Sequence, residues 1–169
     1  FMSHEIRTPM NSVLGFIEML SLSELDETQR EYLATASANA RHLLGLISDI
    51  LDLSKIEKGK LELESAPCVP SGEITAAVSF FRAQAEHKKV RLRADIAETP
   101  PCLGDALRLR QIVTNLVGNA LKFTPERGTV SVSVSVETED HHCVLSVSVD
   151  DTGIGMTKEQ LSSVFDPFL

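Results

Sequence analysis

Apolar residues recur at spacings of three and four through two long stretches at the start of the chain. Ile6, Met10, Val13, Ile17 and Leu20 share one side of a helix over residues 3–21. His4, Thr8, Asn11, Gly15 and Glu18 gather on the other side. Pro9 sits inside this pattern, which predicts a local kink rather than a stop. After a short connection at residues 21–26, the helical spacing resumes with Leu33, Ala36, Ala40, Leu43, Ile47 and Ile50 and runs to Ser54, with Leu44 and Leu51 widening the stripe. Two long helices across a short turn make an antiparallel hairpin. A hairpin alone cannot cover its own stripe, so a dimeric four-helix bundle is expected.

Gly59 ends the second helix, and the period changes. Residues 60–66 alternate as a strand, and Pro67 and Pro70 punctuate a loop. Ser71 reads as the N-cap of a helix whose stripe is Ile74, Ala77, Val78, Phe81 and Ala85. Residues 90–96 alternate again, and residues 99–101 break the chain. Residues 105–121 are helical, with Leu109, Ile112, Val113 and Leu116 inward. Residues 129–136 and 143–149 are Val- and Ser-rich strands joined by a polar tip, which is a hairpin. A Gly-containing turn at 151–156 leads into a short helix over 158–164. The expected class is α+β: a helical hairpin over residues 1–59, then an α/β domain over 60–169 with helices on one face of a mainly antiparallel sheet.

Composition narrows the function. At 169 residues, 43% apolar and 24% charged, the chain has the balance of a folded protein of one or two domains. No apolar run is long enough to cross a bilayer, and no secretory leader is seen. Sixteen basic against 24 acidic side chains give a net charge of −8. Residues 1–58 and 59–169 each carry half of it, so neither offers the basic surface that nucleic acid requires. Cys68, Cys102 and Cys143 are odd in number and widely spaced, which fits reduced thiols in a cytosolic setting. His141 and His142 adjoin Cys143, but consecutive strand residues point to opposite faces and cannot converge on one metal ion.

Three clusters carry candidate chemistry. Glu5 can accept a hydrogen bond from one ring nitrogen of His4 and make the other more nucleophilic, and Thr8 lies one turn further along the same face. Asn115, Asn119 and Lys122 share a helix face through spacings of four and three. A carboxamide oxygen is a hard ligand suited to Mg²⁺, and a lysine supplies a point charge for phosphate. Asp151-Thr152-Gly153-Ile154-Gly155 follows an apolar strand; its carboxylate can accept from an adenine amino group, and its glycines let backbone approach a nucleotide.

The order of these pieces supports a resemblance. Ser3-His4-Glu5-Ile6-Arg7-Thr8-Pro9-Met10 resembles the phosphoacceptor box of two-component sensor histidine kinases, and the stretch from Asn115 to Thr124 resembles their asparagine box. Asp151 to Gly155 resembles their first glycine box, and Phe165-Asp166-Pro167-Phe168 their phenylalanine box. The resemblance implies a dimerisation and phosphotransfer hairpin followed by an ATP-binding sandwich of the gyrase/Hsp90/histidine-kinase type. It implies that His4 receives the γ-phosphoryl group of ATP and that Glu5 activates it. Asn119 matches the Mg²⁺ ligand, Asn115 and Lys122 the phosphate-side contacts, and Asp151 the adenine contact. Gly153 and Gly155 match the glycine turn, and Phe165 begins the phenylalanine box. The implied partners are a second copy of the chain and a response-regulator receiver domain, whose Asp takes the phosphoryl group. Thr8 matches a position that assists hydrolysis of the partner's aspartyl phosphate.

The family's second glycine-rich box, which helps form the lid over the triphosphate, would follow Leu169. Both ends therefore read as cut from a longer protein, and weak ATP binding by this stretch is expected. The alternative reading is a kinase-inactive dimerisation and docking module of a sensor protein. The intact His4, Asn119 and Asp151 favour the kinase.

Overall fold

The computed structural model describes residues 2–139 and 142–165, with the side chains of residues 2–4, 7, 138, 139, 142 and 143 outside that description. The chain divides into two compact units, Phe1–Glu62 and Leu63–Leu169.

The first unit is the expected hairpin, α1 (Met2–Ser21) and α2 (Glu27–Glu57). Pro9 lies within α1 and does not end it. The start of α2 is set by a reciprocal cap: Asp26 Oδ1 accepts from the Gln29 N–H at 2.8 Å, and Gln29 Oε1 accepts from the Asp26 N–H at 3.0 Å. The half-buried positions include Met10, Leu14 and Ile17 on α1 and Leu33, Ser37, Leu44, Ile47 and Leu51 on α2, around buried Ala40. Their alternating spacing of four and three is the seam of two packed helices. The broad stripe read from the sequence is therefore split. Ile6, Val13, Leu20, Ala36, Leu43 and Ile50, expected inward, are exposed, and so are Phe16, Met19 and Leu46. One hairpin partner can cover only one seam.

The second unit holds β1 (Ala66–Cys68), α3 (Pro70–Phe80), α4 (Arg82–His87), β2 (Arg91–Ile96), β3 (Cys102–Gly104), α5 (Ala106–Phe123), β4 (Thr129–Glu139), β5 (His142–Asp151) and α6 (Lys158–Ser163). Its sheet runs in the order β2-β4-β5, and β1 and β3 form a separate two-stranded ribbon. β4 and β5 are the expected antiparallel hairpin, whereas β2 pairs with β4 in parallel, Arg91 opposite Thr129 through Ile96 opposite Val134. The sheet is thus mixed, because the chain returns to β2's neighbour through α5 rather than through a tight turn.

Helices α3 and α5 supply one layer of the core. Ile74, Val78, Val113, Val117 and Leu121 meet Val130 and Val132 of β4, and each is almost completely buried. The Val positions of β4 point inward and Ser133 and Ser135 point to solvent, as their alternation predicts.

Four local readings change. The strand expected at residues 60–66 forms only from Ala66, because the available partner is the three-residue β3, a strand not expected after the break at 99–101. Ser71 does not cap α3. The N-cap is Val69, with Pro70 preset for the first turn, and the Ser71 N–H donates to Thr99 Oγ1 at 2.9 Å. The helix that carries the stripe is interrupted at Phe81, between α3 and α4, although Phe81 and Ala85 stay buried with the rest of it. On α5, Ile112 and Leu116 are exposed, and Val117, Ala120 and Leu121 take the inward positions beside Val113. No helix among the described residues is long and apolar enough to cross a membrane.

Candidate functional site

Helix α5 starts from a firm cap and ends at the candidate site. Asp105 Oδ1 accepts from the Arg108 N–H at 3.0 Å, and Asp105 Oδ2 accepts from the Glu64 N–H at 3.1 Å. These two bonds hold its carboxyl below the usual carboxylate range. Asn115 and Asn119 are exposed on the helix face opposite the core, and Lys122 is exposed in the last turn. Lys122 Nζ lies 5.2 Å from the Phe123 ring centroid. The final turn closes on Thr124, which is buried and donates its hydroxyl to the Ala120 carbonyl at 2.7 Å.

The turn after β5 is built against that helix end. A Cβ on Gly153 would lie 2.6 Å from the Phe123 carbonyl oxygen and 2.5 Å from Asp151 Oδ1. Only glycine therefore permits the approach. Asp151 Oδ1 accepts from the Gly153 N–H at 2.7 Å, which curls the turn and leaves its second oxygen for another donor. Thr152 Oγ1 accepts from the Thr129 N–H at 2.9 Å, anchoring the turn to the start of β4. Gly155 has φ +66°, a left-handed conformation in open space. Phe165 is 95% exposed.

Asn119, Lys122, Asp151 and Gly153 are thus carried on two segments locked together at Phe123 and Gly153. Asn115 lies a turn back along α5. Gly155 and Phe165 continue from the turn, a Cβ at Gly155 meeting open space and Phe165 standing exposed. In the other unit, Glu5 and Thr8 are exposed on α1. His4 belongs to α1 by its backbone, and its side chain lies outside the described set, as do residues 166–168 of the Phe165 motif and the tip residue His141.

The sequence reading missed the residues that support the site. Lys88 Nζ donates to the Leu121 and Lys122 carbonyls at 2.7 and 2.8 Å, placing a cation on the negative end of α5. A Cβ on Gly128 would collide with Thr124 Cγ2 and approach Thr152 Oγ1, so glycine is needed there as well. The lysine pair at 88–89 reads as solvated charge in one dimension, and nothing in its spacing points to a helix 33 residues away.

Among the described residues, no group of three or more His, Cys, Asp or Glu side chains is placed to hold a metal ion. That donor set does not make a dedicated cage. It fits Mg²⁺ arriving with phosphates, because this ion keeps few protein ligands and an exposed carboxamide such as that of Asn119 suffices.

Residues 1–59 match the His Kinase A (phospho-acceptor) domain. Residues 104–169 match the histidine kinase-, DNA gyrase B-, and HSP90-like ATPase family. The sensor protein GacS of Pseudomonas syringae pv. syringae is 44% identical over 170 residues, which cover 99% of this chain and 19% of GacS. The chain spans about a fifth of the length of the curated relatives it matches. Full-length ShkA, solved in complex with AMPPNP, superposes with a TM-score of 0.72 at 34% identity, covering 94% of this chain and 34% of ShkA. Histidine kinase ThkA, solved in complex with the response regulator protein TrrA, shares the fold with a TM-score of 0.61 at 24% identity, covering 99% of this chain and 48% of that one.

Proposed function

The chain belongs to the two-component sensor histidine kinases, and we propose that it transfers the γ-phosphoryl group of ATP to His4 and then to an aspartate of a response-regulator receiver domain. The observation that carries this reading is the close approach of Gly153 to Phe123, which holds the Asp151 turn against the helix end bearing Asn119 and Lys122. In the proposal, the free oxygen of Asp151 accepts from the adenine amino group. Asn115 and Lys122 face the phosphates, and Asn119 is the protein ligand to Mg²⁺. Bound magnesium would neutralise phosphate charge, which is much of what phosphoryl transfer needs beyond positioning. Gly155 lets backbone approach the nucleotide, and Phe165 covers it.

One imidazole nitrogen of His4 attacks the γ-phosphorus in line. An N–P bond forms as the bond to the β-phosphate oxygen breaks, and ADP leaves. Glu5 accepts a hydrogen bond from the other ring nitrogen, which raises the nucleophilicity of the first. Thr8 is the residue proposed for water-mediated hydrolysis of the receiver's aspartyl phosphate. The division at residues 59–60 into phosphotransfer and ATP-binding parts belongs to the same proposal.

Asn119→Ala should lower Mg²⁺-dependent affinity for a non-hydrolysable ATP analogue by about 100-fold, the loss of one charged-ligand contact of roughly 3 kcal/mol. The side chain is exposed, so the thermal melt should not move. Isothermal titration beside circular dichroism checks both, and undiminished affinity would overturn the assignment.

The exposed apolar flank of the hairpin supports the dimer. Ile50 and Leu43 are 52% and 46% exposed, and Phe16 is 64% exposed. Facing copies would bury them in a four-helix bundle. Ile50→Glu should convert the dimer to monomers by light scattering while leaving helix content unchanged; an intact dimer would contradict this interface.

A further inference from the structure

We propose that Cys68 and Cys102 form a redox-modification site, a thiol pair that hydrogen peroxide converts to a disulfide. The two residues are 34 positions apart in sequence, and the sequence reading left them as separate reduced thiols. The fold places them directly opposite each other in the antiparallel ribbon of β1 and β3, with their sulfurs 3.9 Å apart. Opposed antiparallel residues have Cα atoms about 4.5–5.5 Å apart, inside the roughly 4.4–6.8 Å that a disulfide spans. Small side-chain rotations are enough to join the sulfurs.

The surroundings admit the oxidant. Both cysteines are free, half-buried, and on the wall of a cavity of 580 Å³ lined also by Pro101, Leu109, Val136 and Leu145. A peroxide is little larger than water and fits such a space. Burial raises the pKa of Cys68, and the neighbouring Cys102, Glu73 and Asp105 push it the same way. Attack by either sulfur first gives the same disulfide. With Cys102 first, its sulfur attacks one peroxide oxygen, the O–O bond breaks, and sulfenic acid and one water result. The Cys68 sulfur then attacks the sulfenic sulfur, the S–O bond breaks, and the departing hydroxyl takes the Cys68 proton as a second water. Two thiols are oxidised by two electrons in total, and one peroxide is reduced to two waters.

The consequence lies at the point where the chain enters the second unit. β1 and β3 pair over three residues each, a ribbon too short to be stable by itself. A disulfide there closes a long loop and clamps β1 to the strand that leads into the Asp105 cap of α5. The melting temperature of the second unit should then rise by about 10 °C or more.

The test is peptide mapping of the chain after hydrogen peroxide treatment, with dimedone as the sulfenic-acid probe. The expected result is a Cys68–Cys102 cross-linked peptide, lost in Cys68→Ser and in Cys102→Ser and retained in Cys143→Ser. Cys68→Ser should accumulate a dimedone adduct on Cys102, and hydrogen exchange at the Ala66 and Cys68 amides should slow on oxidation of the unaltered chain. A cross-link to Cys143, sulfinic acid without any cross-link, or free thiols persisting at a dose that oxidises free cysteine would each overturn the proposal. The mapping reads the unaltered chain, so it stands whether or not the serine variants fold, and none of its outcomes depends on nucleotide binding.

Discussion

Gly153→Ala is expected to weaken nucleotide binding by roughly 10- to 100-fold and to lower the stability of the second unit. The added methyl would sit 2.6 Å from the Phe123 carbonyl oxygen and 3.0 Å from its carbonyl carbon, and both atoms belong to the last residue of α5. A flexible side chain could give way, but this backbone is held: Lys88 grips the neighbouring carbonyls, and Thr124 closes the turn. The turn must therefore retreat, breaking the Asp151–Gly153 hydrogen bond and separating Asp151 from Asn119 and Lys122. Overpacking of this kind costs about 1–3 kcal/mol, and spent on the site's geometry it lowers affinity by roughly 10- to 100-fold. Gly155→Ala is the contrast, since a Cβ there meets nothing within 4 Å and the left-handed backbone alone costs about 1 kcal/mol. Calorimetric titration and a thermal melt of both variants separate the effects. Equal affinity of Gly153→Ala and the unaltered chain would show that the turn and the helix need not touch.

Leu121→Ala is expected to have the largest effect on folding. Leu121 is 0% exposed and belongs to the core cluster with Ile74, Val78, Val113 and Val117. Removing the Cγ methine and its two methyl groups there costs about 2–5 kcal/mol, a large fraction of the stability of a small domain. Urea unfolding followed by circular dichroism should show an earlier transition of the second unit and an unmoved one for the hairpin. The same position tests the site indirectly, because Leu121 lies two residues beyond Asn119 and its own carbonyl receives Lys88. A loss below 1 kcal/mol would mean that the core collapses around the vacancy.

The sequence carried the architecture well wherever a single period governed a segment. The two long helices, the Val/Ser hairpin of β4 and β5, and the stripe from Ile74 to Ala85 all follow from spacing, because each buries one face. It failed where two partners compete for one element. Ile112 and Leu116 on α5 are as apolar as Val113 and Val117, and only the sheet's position decides which pair turns inward. The parallel pairing of β2 with β4 and the short β1–β3 ribbon are non-local, and a strand of three residues has no readable period. At the candidate site, the motif residues Asn115, Asn119, Lys122, Asp151 and Gly153 were legible because their order is specific. Lys88, Gly128 and Thr124 were not singled out, because their work is tertiary: a charge on a helix end and backbone pressed against backbone.

The central claim is that an imidazole on the hairpin takes phosphate from a nucleotide held by the second unit. The most direct measurement incubates the full-length protein with γ-labelled ATP, unaltered and as His4→Gln, and follows the label through acid and base. An N–P bond at His4 predicts label that is acid-labile and base-stable and that disappears in the variant, while a receiver domain added afterwards removes it from the unaltered protein. Label that survives His4→Gln, or a full-length protein that takes up none, would contradict the claim.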